Sequence, residues 1–133
     1  MKPTMMIAVT AVALTSCASH QAAGATPAPP EAGVPLNQLS ANGIADTIKR
    51  SGMPIPNAHD VTATTCARLQ CTGAVDSDPV SIVTFAQSGP AERYAGDTAN
   101  SYVVEDIVLV FAQATTPADR AAYEHIVEWS AQH

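Results

Sequence analysis

Two of the three cysteines, Cys66 and Cys71, form the most informative reactive pair in the sequence. Their C-x4-C spacing differs from the C-x-x-C of thioredoxin-like redox motifs, and it lacks the second ligand pair that a structural zinc site needs. Along a straight strand the two residues would lie roughly 16 Å apart, whereas a disulfide needs Cα atoms within about 7 Å. A disulfide therefore requires the chain to reverse at residues 67–70.

The histidines suggest metal binding only weakly. Glu124, His125 and Glu128 would share part of one surface if the C-terminal segment is helical, and such a patch could hold zinc or copper. A solvated helix face explains the same three residues. The other histidines are scattered along the chain at His20, His59 and His133. We therefore predict no metal site and no other cofactor.

Two pairs of acidic residues could bind calcium or act as general acid and base. They are Asp76 with Asp78 and Glu105 with Asp106, and both lie where turns are expected, because aspartate in turns bonds the backbone. The sequence contains no G-x-S-x-G nucleophile elbow and no glycine-rich phosphate loop. We predict no catalytic residues and a protein that is not an enzyme.

Charge limits the partners that the chain can bind. Six Lys and Arg residues stand against twelve Asp and Glu, which gives a formal net charge of −6 at pH 7. Such a surface repels nucleic-acid phosphates and anionic lipid headgroups. Nucleic acid is excluded as a partner, and the protein surface provides no membrane affinity.

The N-terminus is typical of an export signal. Lys2 precedes an apolar run over residues 5–14, which is too short for a membrane-spanning helix of roughly 20 residues. The run ends in Leu14-Thr15-Ser16-Cys17, which resembles the lipobox of bacterial lipoproteins. The alternatives are an ordinary secretory signal followed by a chance cysteine, or an uncleaved anchor.

The lipobox resemblance implies cleavage between Ser16 and Cys17 and a diacylglyceryl group on the Cys17 thiol. Two acyl chains give durable membrane anchoring, so the protein is expected on the extracytoplasmic face of the cell membrane. With Cys17 acylated, Cys66 and Cys71 remain as an even pair in an oxidising compartment. A structural disulfide is then favoured over a redox or metal pair, and closing so short a loop would contribute about 2 kcal/mol.

Composition divides the chain into three parts: a signal peptide (1–16), a lipidated cysteine with a tether (17–35) and a globular domain (36–133). Residues 18–35 contain six Ala, four Pro and two Gly without an apolar period, which predicts a flexible tether. The 133-residue chain leaves room for one small domain after these segments.

Hydrophobic periodicity and turn residues predict an α-β-β-β-α-β-β-α order in the domain. The elements are helix 37–51 capped by Asn37 or Ser40, strands 59–66, 72–75 and 80–86, helix 90–97, strands 102–104 and 107–112, and a helix from the capping box at 116–119 to residue 131.

Glu105-Asp106 forms either a tight hairpin turn or a bulge. The apolar side of the last helix would be Ala118, Ala122, Ile126 and Trp129, with Tyr123 and Val127 adjacent, and an Arg120–Glu124 pair would face solvent. The fold class is α+β, with the helices on one face of an antiparallel or mixed sheet.

Several segments resemble small envelope lipoproteins of actinobacteria, including mycobacterial ones. They are Gly-Met-Pro at 52–54, Val-Thr-Phe at 83–85 before Pro-Ala-Glu-Arg-Tyr-Ala at 90–95, and the strands at 102–110 leading into Thr-Pro-Ala-Asp at 116–119. The resemblance covers most of residues 43–129 and implies an envelope location and an α+β fold. It implies no activity.

Two functions fit a tethered domain without catalytic residues. One is an interaction module whose sheet edge or helix face binds an envelope protein. The other is a carrier of a small apolar ligand or lipid, which needs a pocket of roughly 300 Å³. A core with two Phe and one Trp is too small to spare such a volume easily, so the interaction module is favoured.

Overall fold

The computed structural model describes residues 38–133, so the predicted signal peptide, the tether and Cys17 lie outside the described residues. Its helices are α1 (Ala41–Arg50), α2 (Thr62–Leu69), α3 (Ser88–Gly96) and α4 (Pro117–Gln132). Its strands are β1 (His59–Asp60), β2 (Gly73–Asp76), β3 (Val80–Thr84), β4 (Ser101–Val104) and β5 (Ile107–Phe111). Within residues 38–133, no helix is both long enough and apolar enough to cross a bilayer.

The strands form an antiparallel sheet in the order β1-β2-β3-β5-β4. The β4–β5 hairpin joins the sheet through β5, which pairs with β3 over five residues, from Val80 opposite Phe111 to Thr84 opposite Ile107. β5 is apolar at every position, whereas β4 contains Ser101 and Tyr102. Because β5 pairs with β3 on one side and with β4 on the other, β5 lies in the interior of the sheet and β4 is an edge strand.

The α+β class is confirmed, but the helices cover both faces of the sheet rather than one. α1 and α4 pack on the face that includes Ile82 and Leu109, whereas α2 and α3 pack on the opposite face, which includes Val83 and Val108. All four of these strand residues are buried. Because β3 and β5 are apolar on both faces, a helical layer on one face would leave the other exposed to water.

The predicted strand over 59–66 is wrong after its first two residues. His59 and Asp60 pair with β2, but the chain then turns and forms α2. Asp60 Oδ1 accepts the Thr62 backbone N–H at 2.8 Å, and the Thr62 hydroxyl accepts the Ala74 N–H at 3.0 Å. These bonds, together with packing on the sheet, outweigh the preference of β-branched residues for strands.

The signal for α2 is nevertheless present in the sequence as a helical period. The half-buried positions of this segment are Val61, Thr62, Thr65, Cys66 and Leu69. This spacing places one side of a helix on the sheet, whereas a strand would bury alternate residues.

The remaining predicted elements are present with shifts of a few residues at their ends. Ser40 is the cap of α1 and accepts the Gly43 N–H at 3.0 Å, which decides between the two predicted caps. Thr116 caps α4 as predicted: its hydroxyl accepts the Asp119 N–H at 3.2 Å and donates to the Asp119 carboxylate at 2.8 Å. α3 begins at Ser88, so Pro90 lies within the first turn and not at the first position.

The apolar side of α4 differs from the predicted one. Tyr123 and Val127 are its buried residues, whereas Trp129 is 56% exposed. The predicted stripe is offset because α4 packs beside α1 on the same face of the sheet and contacts β4, and these two contacts decide which residues face inward. Arg120 also differs from its predicted position on the exposed side of the helix. Its guanidinium donates a hydrogen bond to the Asn100 side chain and lies 5.5 Å from the centre of the Phe111 ring.

Candidate functional site

The structure joins Cys66 and Cys71, with the two sulfur atoms 1.95 Å apart and the Cα atoms 4.6 Å apart. The chain reverses at the end of α2, where Gln70 adopts a left-handed conformation (φ 55°) and its N–H bonds the Cys66 carbonyl at 2.9 Å. The last helical turn, and not a loop between strands, therefore brings the cysteines together.

The three residues of the hypothetical metal patch do not converge. His125 lines a shallow groove against α1 with Thr47 and Trp129, whereas Glu124 and Glu128 act electrostatically on Tyr102 of β4. In the part of the chain that the structure describes, no three His, Cys, Asp or Glu side chains are arranged to hold a metal ion.

Glu105, Asp106 and Asp78 lie in turns as predicted, whereas Asp76 is the last residue of β2 and pairs with His59. In the β2–β3 hairpin, Asp76 accepts the Ser81 hydroxyl at 2.5 Å and Asp78 accepts the Asn57 side-chain amide at 2.7 Å. Glu105 and Asp106 are the two residues that connect β4 with β5, and Glu105 has a φ of 55°. The hairpin alternative is therefore correct and the bulge is not, because Val104 faces Ile107 directly.

A groove with a volume of about 710 Å³ lies between α1 and the segment 53–60. We call it the α1 groove. Its polar groups are bonded to one another: the Asn42 amide donates to Asp60 Oδ2 at 2.6 Å, and His59 Nδ1 contacts the Asn57 carbonyl at 2.7 Å. Because a carbonyl only accepts hydrogen bonds, Nδ1 carries the proton, and a neutral His59 has its unprotonated nitrogen at Nε2.

Hydrogen bonds keep the Asp60 carboxylate ionised. The Asn42 amide, followed by the Thr62 backbone and side chain, lowers the pKa of Asp60 below 3.8, against a small opposing effect of desolvation. These contacts tie the segment 53–60 and β1 to α1 and α2. We interpret the polar groups of the α1 groove as structural connections and not as a reactive site.

A second cleft, of about 350 Å³, lies between α2 and α3 over part of β2 and β3. Val83 and Ser81 of β3 form its floor, and Leu69 and Arg68 of α2 and Tyr94 of α3 lie along its walls. We call it the α2–α3 cleft. It is open to solvent and combines apolar and hydroxyl-bearing side chains, so it could hold a small molecule.

The two edge strands of the sheet differ in how well they are protected from pairing with another chain. β1 is two residues long, carries the charged Asp60, and follows Pro54 and Pro56. Short edge strands, charges and prolines are the features by which proteins protect an edge from pairing with another chain. β4 has four residues, Ser-Tyr-Val-Val, without charge or proline, and no strand within residues 38–133 pairs with its outer side.

The register identifies the backbone groups that β4 presents outward. Val104 of β4 and Ile107 of β5 flank a two-residue hairpin turn, so these two residues exchange backbone hydrogen bonds. Along an antiparallel pair of strands, hydrogen-bonded residues then alternate with residues whose backbone groups point outward. Asn100 fits the same alternation, since its carbonyl accepts the Phe111 N–H at 2.9 Å. The N–H and C=O groups of Ser101 and Val103 therefore point away from β5. We call this outer side the β4 edge.

Sequence reasoning did not single out the β4 edge. The available signal was the uncharged composition of residues 101–104, but the same composition also suits an interior strand. Only the pairing of β5 with β3 leaves β4 outermost.

Comparison of the chain with known protein families, with characterised proteins and with solved structures gives no match. The candidate site is therefore argued from this chain's own residues and geometry.

Proposed function

We propose that the protein is a lipid-anchored lipoprotein of the bacterial cell envelope, a non-catalytic interaction module that binds an envelope protein through the β4 edge. The observation that carries the proposal is the contrast between the protected β1 edge and the unprotected β4 edge. An exposed strand edge binds a partner's extended segment through main-chain hydrogen bonds, and pockets for alternate side chains add specificity.

The anchor is supported by the order of features at the N-terminus: a basic residue, an apolar run, and then Leu14-Thr15-Ser16-Cys17. The resemblance to actinobacterial envelope lipoproteins agrees with this location. The acidic domain offers no attraction to anionic lipids, so membrane attachment depends on the acyl chains of Cys17.

The non-catalytic character is supported by the roles of the acidic residues. Asp76 at the end of β2, Asp78 in the following turn and Asp119 at the start of α4 each accept a hydrogen bond. Asp60 does the same where β1 leads into α2. Aspartate carboxylates that accept hydrogen bonds from neighbouring protein groups stabilise local structure. Their hydrogen-bonding capacity is used without a substrate.

Site-specific photocrosslinking in intact cells tests the proposal. A photoreactive phenylalanine analogue replaces Tyr102 on β4 in one strain and Ala67, an exposed residue of α2, in the control strain. We expect a crosslinked product of one discrete mass from position 102 and none from position 67. Equal products at both positions, or none at either, would remove the β4 edge as the binding surface.

A carrier of a small apolar ligand is the second candidate, because the volume of the α2–α3 cleft reaches the lower end of the range for ligand pockets. Mass spectrometry of lipid extracts from purified protein distinguishes the two functions. A stoichiometric lipid that is lost when Ser81→Arg, at a partly exposed position of the cleft floor, fills the cleft would favour the carrier.

A further inference from the structure

Charge is distributed unevenly around the β4 edge. Tyr102 packs toward α4, where Glu124 and Glu128 stand one turn apart on the side of the helix that faces β4. Desolvation is the main cause of the raised pKa of Tyr102, and the negative charges of Glu128 and then Glu124 add to it. The α4 side of the β4 edge is therefore negative.

The nearby Arg120 offsets only part of the charge of the two glutamates, because its guanidinium bonds neutral groups and neither glutamate. The Arg120 guanidinium donates to the Asn100 side chain at 3.1 Å and to the Thr115 carbonyl at 3.2 Å, and it lies over the Phe111 ring. These contacts hold Arg120 beside the start of β4, one turn before Glu124.

The α3 side of the same edge is apolar or neutral. Val103 packs with the buried cluster that includes Val108 and Ala91 of α3, and the Ser101 hydroxyl donates to the Ala95 carbonyl at 2.7 Å. Because side chains of a strand alternate between faces, an added strand would place every second residue beside the acidic α4 side and the others beside the apolar α3 side.

We infer that the segment bound at the β4 edge is an extended strand that alternates lysine or arginine, placed toward Glu124 and Glu128, with apolar residues placed toward α3. The inference rests on the proposed function and names the chemistry of its partner. Opposite charges on neighbouring strands stabilise the pairing, whereas like charges oppose it.

The same charges argue against a second copy of this chain as the occupant. Antiparallel pairing of two β4 strands in a continuous sheet would place both α4 helices on one face, with two Glu124–Glu128 pairs near each other. The whole chain carries a formal charge of −6, which adds long-range repulsion.

Two peptides test the inference by nuclear magnetic resonance titration of the domain. One is a seven-residue peptide that alternates lysine and valine, and the other replaces each lysine with glutamate. We expect the lysine peptide to shift the amide signals of Ser101 and Val103 and to bind at least about fivefold more tightly than the glutamate peptide at low salt. The amide of Ala67 on α2 serves as the internal control.

Charge reversal identifies the residues responsible. Glu128→Lys should lower the affinity for the lysine peptide by about threefold, and Glu124→Lys combined with Glu128→Lys should reverse the preference between the peptides. Asp46→Lys, an equal charge change on an exposed position of α1, is the matched control and should leave the preference unchanged. Thermal unfolding midpoints verify that each variant is folded.

The outcomes separate the inference from the proposed function. Equal shifts with both peptides would overturn the inference and leave the β4 edge as a binding surface. Shifts with neither peptide would overturn both. Concentration-dependent shifts of Ser101 and Val103 without peptide would show that a second copy is the occupant, which also overturns the inference.

Discussion

The Tyr123 hydroxyl donates a hydrogen bond to the Pro54 carbonyl and so ties the middle of α4 to the segment that follows α1. Tyr123 is 1% exposed and its ring lies 6.2 Å from that of Phe111, so the residue connects the helical layer, the sheet and the loop. This single contact spans 69 positions of sequence.

Replacement of Tyr123 with Phe should lower the free energy of unfolding by about 1 kcal/mol, because the hydrogen bond is lost while the ring remains. Urea denaturation measures the change. Tyr94→Phe is the matched control, since Tyr94 is a half-buried tyrosine whose ring packs near Phe85, and it should cost less than about 0.5 kcal/mol. Equal losses in both variants would contradict the structural role of the Tyr123 hydroxyl.

Two substitutions on α4 test the orientation of this helix. Val127→Ala should destabilise the domain by about 2 kcal/mol, because Val127 is fully buried and its removal leaves a cavity. Trp129→Ala should cost less than about 1 kcal/mol, because the indole is largely exposed and stacks on His133. A larger loss from Trp129→Ala would mean that the helix is rotated as the sequence alone predicts.

Removal of both Cys66 and Cys71, as Cys66→Ser/Cys71→Ser, should lower the free energy of unfolding by about 2 kcal/mol. The cross-link restricts the unfolded chain, so the folded domain should keep its secondary structure. Chemical denaturation of the oxidised protein, the reduced protein and the double variant provides the comparison. Oxidised protein that matches the double variant in stability would argue against a bond between the two cysteines.

The carboxyl group of Asp60 should titrate below 3.8 in the folded domain, as followed by its side-chain chemical shift. A folded-state pKa below that of the unfolded chain means that the contribution to stability is present above about pH 4 and is lost as the pH falls through the folded-state value. Asn42→Ala removes the strongest donor and should raise the pKa toward 3.8. No rise in Asn42→Ala would show that the Asn42 bond does not form in solution.

Replacement of Cys17 with Ser should prevent lipidation and therefore processing by the lipoprotein pathway. We expect the variant to leave the detergent phase or to accumulate as the longer precursor, whereas wild-type protein partitions into detergent. Ser16→Ala, which keeps a small residue before the cysteine, is the control and should behave as the wild type. An unchanged membrane fraction of Cys17→Ser would contradict the lipobox interpretation.

Local sequence signals predicted most of the fold. Ser40 and Thr116 mark the starts of α1 and α4, the Ser-Asp-Pro segment at 77–79 marks the turn between β2 and β3, and Glu105-Asp106 marks the β4–β5 hairpin. These features were readable because capping and turn formation depend on residues within a few positions of one another.

The errors occurred where distant contacts outweigh local preference. Residues 62–69 are rich in β-branched side chains, yet they form α2 because Thr62 bonds Ala74 and one side of the helix packs on the sheet. The exposure of Trp129 was missed for a similar reason, since the packing of α4 beside α1 and against β4 fixes which of its residues are buried.

The sequence by itself determined the lipobox-like segment around Cys17, the acidic balance, the helix starts and the apolar strands. Only the tertiary structure decided which strand lies at the edge of the sheet. The pairing of β3 with β5 joins residues that are far apart in sequence, and this pairing leaves Ser101 and Val103 facing outward. No local pattern encodes that choice, because an uncharged strand such as β4 suits either the interior or the edge until its neighbours are known.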